Sequence, residues 1–260
     1  YEKLPDEQEL ASLRKRLATE RPIPPEVVSA LKTRPADALP MDILQAAVAM
    51  LANHDPDIRD SSREAFDRMA LRLVAKLSTV LAAWGRIRQG KDPVEPDPAL
   101  DQGANFLYML FGEKPDEELA HFFDVCLTLH AEHSFNASTF SARQIASTRA
   151  HMYAAVAGAI GSLSGELHGG ANVRVMEMLL DIGDADNVEP YVKQILDEGK
   201  KIMGLGHAVY KTDDPRAHIL SPMSQKMGER TGETKWYEIS RKLEKVGKTE
   251  FKKRKEIDIF

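Results

Sequence analysis

Apolar residues recur at helical spacing along nearly the whole chain. Phe66, Met69, Ala70, Leu73, Val74, Leu77, Val80, Leu81, Trp84 and Ile87 keep an i, i+3, i+4, i+7 rhythm, which marks a helix with one buried face. Gly90 supplies its stop, and Asp60 or Ser61 can cap its start. A second stripe, Leu119, Phe122, Phe123, Cys126, Leu127 and His130, is opened by Pro115-Asp116-Glu117-Glu118, whose acids suit the positive end of a helix dipole. Shorter stripes run through Ile43, Leu44, Ala47, Val48 and Leu51, and through Val175, Met178, Leu179 and Ile182. Asp6 followed by Glu9 resembles an N-terminal capping pair. No stretch alternates with period two, and no Asn-Gly or Asp-Gly hairpin turn occurs. The pattern predicts an all-α fold.

Breaks fall at Pro22-Ile23-Pro24-Pro25, at Lys91 to Pro98, and at Gly183-Asp184-Ala185-Asp186. No internal repeat appears at a fixed period. Beyond about residue 172 the chain becomes more charged, and Lys248 to Lys255 is a basic run that reads as a solvated helix face. The division expected is a large helical domain over residues 1–172 and a small helical domain over 173–260. At 260 residues and 43% hydrophobic content, a proper core is available and disorder is excluded. Thirty-five basic against 40 acidic residues leave a net charge of -5, which gives no support to a nucleic-acid partner. One cysteine excludes an internal disulfide, and no apolar run reaches the ~20 residues of a membrane helix. A cytoplasmic protein is expected. The ends, Tyr1-Glu2-Lys3 without a Met and Ile259-Phe260 without a cap, suggest a piece of a longer chain.

Three segments carry candidate chemistry, each built around histidine. In Leu129-His130-Ala131-Glu132-His133-Ser134-Phe135-Asn136, His130 continues the apolar stripe and reads as a hydrogen-bonded core histidine. His133 sits where the stripe turns polar and is the better ligand contact. A metal site there would need further ligands, and no Cys or HExxH pattern provides them. Cys126, within the stripe, reads as a buried structural thiol. The second segment runs from Gly158 to Asn172, with five glycines around His168. Gly169-Gly170 allows close approach of a ligand to backbone, and a helix starting at Ala171 would offer N–H groups to an anion. The glycines match neither GxGxxG nor a P-loop, and tight helix packing explains them equally well. The third is Met203-Gly204-Leu205-Gly206-His207-Ala208-Val209-Tyr210-Lys211, followed by Asp213-Asp214-Pro215-Arg216. There Arg216 could clamp a carboxylate bidentately, beside Asp-Pro residues that read as an ordinary helix cap.

In combination, order and spacing, His130-Ala131-Glu132-His133 with Asn136-Ala137-Ser138-Thr139-Phe140, Glu166-Leu167-His168-Gly169-Gly170-Ala171-Asn172, and Gly204-Leu205-Gly206-His207 with Asp214-Pro215-Arg216 resemble the citrate synthase family. Asn105-Phe106-Leu107-Tyr108-Met109 adds to the likeness, which runs from end to end. The resemblance implies a large and a small helical domain, a homodimer, and condensation of acetyl-CoA with oxaloacetate followed by hydrolysis of citryl-CoA. It implies His168 and His207 as catalytic residues, the first on the thioester carbonyl and the second on the ketone of oxaloacetate. It implies His133, Arg216 and Asn136 at oxaloacetate, and Gly204, Gly206 and Lys211 at acetyl-CoA. Acetyl-CoA would be a co-substrate, with no permanently bound cofactor, no metal, and neither nucleic acid nor membrane as partner.

The family's general base is an Asp in a Pro-Asn-Val-Asp segment that is expected beyond Phe260, so these 260 residues alone are expected to be nearly inactive. Ala208, Val173 and Glu166 stand where relatives often carry Arg, Glu and Pro. Two alternatives remain at this stage: a 2-methylcitrate synthase using propionyl-CoA, which differs by one methylene and is poorly discriminated, and a non-catalytic relative or fragment acting as a binding module.

Overall fold

The computed structural model describes residues 3–206 and 212–255. Among them the regular elements are all helical: α1 (Glu7–Glu20), α2 (Pro25–Lys32), α3 (Pro40–Leu51), α4 (Arg63–Ile87), α5 (Gln102–Phe111), α6 (Glu117–Leu129), α7 (Ala137–Ser147), α8 (Met152–Leu163), α9 (Ala171–Ile182), α10 (Val188–Asp197), α11 (Pro215–Thr231) and α12 (Lys235–Lys255), with short 3-10 turns at Ala52–His54 and Ala185–Asn187. The fold is all-α, as the periodicity predicts. The chain divides into two compact units, Tyr1–Gly165 and Glu166–Phe260.

The core of the first unit forms where the two clearest stripes meet. Ile43, Leu44, Ala47, Val48 and Leu51 of α3 face Met69, Leu73, Val80 and Trp84 of α4, with Tyr153, Ala157 and Ile160 of α8 closing the cluster. Small residues set the spacing: a Cβ on Gly158 would overlap Ile145 of α7, and one on Gly161 would come within 2.6 Å of Gln45 of α3. Two of the five glycines in the second segment therefore serve helix packing. Asp6 and Glu9 form the expected capping box, with Glu9 N–H donating to Asp6 at 2.8 Å and Asp6 N–H to Glu9 at 3.0 Å. The cap of α4 is Ser62, one residue later than the sequence suggested; Asp60 instead accepts from Ser62 N–H at 2.8 Å and shapes the turn before it. The proline-rich stretch ahead of α5 is packed within this unit. Buried Arg21, at the end of α1, donates to the carbonyls of Asp97 at 3.0 Å and Leu100 at 2.7 Å.

Three expectations on α6 are corrected. Its stripe was read as a core face, yet no residue of the helix is fully buried. Phe123 stacks on Phe106 of α5, with ring centroids 5.1 Å apart, while Leu127 is exposed. Cys126 is only half-buried. His130 is exposed rather than in the core, and its Nδ1 lies 2.6 Å from the Cys126 carbonyl at the helix end. An amphipathic pattern identifies the face that can be covered, whereas coverage needs a neighbour, and within this unit α5 supplies only part of one.

In the second unit Met178, Leu179 and Ile182 of α9 pack with Val188 and Val192 of α10, Ile202, and Ile239 and Leu243 of α12. Gly183, at φ +68°, ends α9. The basic run lies on α12, with Lys252, Lys253 and Arg254 exposed and Lys248 paired with Asp213 and Glu244, each at 2.9 Å. No described helix is long and apolar enough to cross a membrane.

Candidate active site

The first motif forms the turn between α6 and α7. Asn136 is the N-cap of α7, its Oδ1 accepting from Thr139 N–H at 2.9 Å and from Ser138 Oγ at 2.7 Å. Its Nδ2 reaches back to the His133 carbonyl at 3.5 Å. Ser134, between them, takes a left-handed φ of +53° and donates its N–H to the Glu132 carboxylate. His133 and Asn136, two of the residues expected at oxaloacetate, are thus held by one turn. Phe135 and Phe140 of that motif meet edge-on at 6.0 Å, and Arg143, which the sequence analysis does not single out, lies 5.1 Å from the Phe135 ring centre.

The second motif is an irregular turn leading into α9. His168 and Gly169 are half-buried, next to a fully exposed Leu167. Helix α9 starts at Ala171 behind a Gly170 N-cap that makes no side-chain hydrogen bond. In the first turn, Val173 N–H donates to Asn172 Oδ1 at 2.9 Å, so at least that donor is occupied by the helix's own side chain. Glu166 pairs with Arg174 at 2.7 Å, which ties the turn to the first full turn of the helix.

The third motif enters through two left-handed glycines, Gly204 at φ +82° and Gly206 at +81°, where any other residue would be strained. A Cβ on Gly204 would lie 3.2 Å from Val175 of α9, so this loop and the helix opened by the second motif are in contact. His207 and Lys211 fall outside the described residues. The described chain resumes at Thr212. Asp214 caps α11, its Oδ1 accepting from Arg216 N–H at 2.9 Å. The Arg216 guanidinium already grips a carboxylate, that of Asp214, with Nε–Oδ1 at 3.0 Å and Nη2–Oδ2 at 2.6 Å. This is the bidentate geometry anticipated for a ligand, formed with the helix's own cap.

One group of residues gave no sequence signal. In the first unit, Glu20, Pro22, Leu51, His54, Asp55, Arg72, Lys76 and Tyr153 line a cavity of about 400 Å³. Tyr153 O–H donates to Asp55 at 2.6 Å, and Arg72 reaches Asp55 at 2.9 Å and Asp57 at 2.6 Å. Burial and the Asp55 carboxylate push the Tyr153 hydroxyl well above its ordinary range. Hydrogen bonds from Arg68 and Arg72 hold Asp57 well below the usual carboxylate range. Partners separated by up to 98 positions leave no local pattern to read. Among the described residues, no group of three or more His, Cys, Asp or Glu side chains could hold a metal ion.

A family model described as "Citrate synthase, C-terminal domain" matches residues 1–259. The chain belongs to the citrate synthase family. The citrate synthase of Synechocystis is 45% identical over 94% of this chain and 62% of its own length, and that of Haloferax volcanii 46% identical over 93% and 65%. Relatives also include 2-methylcitrate synthases, one from Mycobacterium tuberculosis at 38% identity. The crystal structure of citrate synthase from Thermoplasma acidophilum, in a ternary complex with carboxymethyl coenzyme A and oxaloacetate, superposes with a TM-score of 0.90 at 30% identity, over 98% of this chain and 67% of that one. The chain thus spans roughly two thirds of the length of these family members.

Proposed function

We propose that the protein is a citrate synthase, condensing acetyl-CoA with oxaloacetate and hydrolysing citryl-CoA to citrate and CoA. The observation that carries this reading is the presence of all three histidine motifs in one chain matched by the family model over residues 1–259. In this reading His168 donates a hydrogen bond to the thioester oxygen as a base removes a methyl proton, so that charge developing on oxygen is met by a fixed donor. The resulting enol carbon attacks the ketone of oxaloacetate, whose oxygen receives a proton from His207. Arg216, His133 and Asn136 hold the dicarboxylate, the arginine as a fork. Gly204, Gly206 and Lys211 approach the CoA portion. The unit Glu166–Phe260 corresponds to the small domain and Tyr1–Gly165 to part of the large one. The uncovered faces of α6 and α7, neither of which buries a residue fully, support a homodimer.

Acetyl-CoA is preferred over propionyl-CoA as the substrate because identity is higher to citrate synthases, at 45–46%, than to the 2-methylcitrate synthase, at 38%. The test is thiol release by the intact protein with each acyl-CoA, with and without oxaloacetate. Oxaloacetate-dependent release from acetyl-CoA is expected, lowered by about 10²–10⁴-fold in His168→Gln with little change in the KM for oxaloacetate. A higher kcat/KM with propionyl-CoA would move the reading to 2-methylcitrate synthase. No release from either thioester would leave the binding-module alternative.

A further inference from the structure

Phe135 directly precedes the Asn136 cap, and Phe140 is the fourth residue of α7. Their rings meet edge-on with centroids 6.0 Å apart. This is a hydrophobic staple, which joins the residue before a helix cap to the first full turn of the helix. Arg143, one turn further along α7, lies 5.1 Å from the centre of the Phe135 ring, within range of a cation–π contact. Both rings are more than half exposed, so the pair is not there to fill a core. The backbone beside it is strained. Ser134 holds φ +53°, uncommon for a residue other than glycine, and such a conformation persists only where its surroundings over-determine it. Here Glu132 accepts the Ser134 N–H, Asn136 Nδ2 reaches the His133 carbonyl at 3.5 Å, and the staple clamps the residue between.

We infer that Phe135, Phe140 and Arg143 are positioning residues for oxaloacetate: the staple fixes the angle at which the chain enters α7, and with it the spacing of His133 from Asn136. The cap ties Asn136 to the first turn through Thr139 N–H at 2.9 Å. That bond restrains the residue that makes it, whereas the staple restrains the one before. His133 lies two residues ahead of Phe135, and Ser134 between them is where the backbone turns left-handed. A swing of the chain about Ser134 would carry His133 away from Asn136. Two contacts to one small dicarboxylate tolerate little such movement, because both must be in place when the ligand arrives. Arg143 narrows the freedom of the Phe135 ring from its other neighbour, one turn along the helix. The inference rests on the proposed roles of His133 and Asn136, and adds to them three residues that act through the turn.

The test measures the oxaloacetate affinity of the intact protein by titration calorimetry in Phe135→Ala, Phe140→Ala and the double variant. Each single variant is expected to bind roughly five- to tenfold more weakly, the scale of one aromatic pair. The double variant should bind no worse than either, because both changes remove the same contact. Phe135→Leu keeps an apolar staple and should bind within about twofold of the unaltered protein. Arg143→Ala leaves both rings in place and should weaken binding about two- to fivefold, with Arg143→Lys restoring it. The KM for acetyl-CoA should not change in any of them. Unchanged oxaloacetate affinity in Phe135→Ala or Arg143→Ala would reduce the cluster to a helix staple and overturn the inference. Losses that add in the double variant would overturn it too, as would weaker binding in Phe135→Ala accompanied by a changed mass in analytical ultracentrifugation, which would assign the ring to subunit association. If His133→Ala and Asn136→Asp both leave oxaloacetate binding intact, the reading of the site itself fails and the inference falls with it, an outcome read without any staple variant.

Discussion

Asp55 has a side chain only 1% exposed and accepts from the Tyr153 hydroxyl, from the Asp57 N–H, and from the Arg72 guanidinium, whose own side chain is 12% exposed. Removing it strips the hydroxyl of its acceptor in a place water barely reaches, while Arg72 keeps Asp57 and Glu20 as counter-charges. Asp55→Ala and Tyr153→Phe are each expected to cost about 1–3 kcal/mol, both read as lower urea midpoints. Neighbouring Asp57 gives this cluster an acid dependence. Its carboxyl is held down in the folded state by hydrogen bonds from Arg68 and Arg72. The stability it contributes is thus complete above the unfolded carboxylate value, near pH ~4, and is lost as the pH falls through the lower folded value. Thermal midpoints should be insensitive to this group between neutrality and that point, then decline, with a shallower decline in Arg68→Ala. An acid limb of equal slope in that variant would show that Asp57 is not responsible.

At the scale of elements, Asn136 caps α7 and, in the proposed function, also contacts oxaloacetate, two roles that substitution can separate. As the N-cap of α7 it accepts from Thr139 N–H, and Asn136→Ala should cost about 1 kcal/mol of stability whatever the protein binds. Asn136→Asp keeps the cap while placing a charge where the proposed function has a dicarboxylate. It is expected to leave the melting temperature in place and raise the KM for oxaloacetate by roughly tenfold or more. An unchanged KM would confine Asn136 to capping. Most elements were legible because their cause is local. The stripes of α3 and α4, the acids opening α6, the Asp6–Glu9 box and the Gly183 stop all act within a few residues of themselves. The α6 stripe was legible as a pattern but not as a core, because burial is decided by what lies opposite.

For the whole molecule, α6 and α7 bury no residue fully, and Phe111, Leu127 and Phe140 stand 63%, 44% and 57% exposed. The proposed homodimer would cover such surface. Charges placed there, as in Phe111→Asp with Leu127→Asp, should produce a monomer in analytical ultracentrifugation, whereas an unaltered mass would put the association elsewhere. The sequence by itself determined the helical class, the main stripes and the three histidine motifs, since each depends on residues close together in the chain. It singled out Gly204 and Gly206 as contacts to acetyl-CoA, while their left-handed backbone, at φ +82° and +81°, is a feature of the structure. Tertiary structure alone decided that Tyr153, Asp55 and Arg72 meet around one cavity, and that Gly158 and Gly161 serve packing rather than a ligand. It also decided that Asp214 grips Arg216 as well as capping its helix. In each of these cases the deciding quantity is a distance between side chains, set by how helices cross and by which rotamers that crossing leaves open, and a one-dimensional pattern does not carry it.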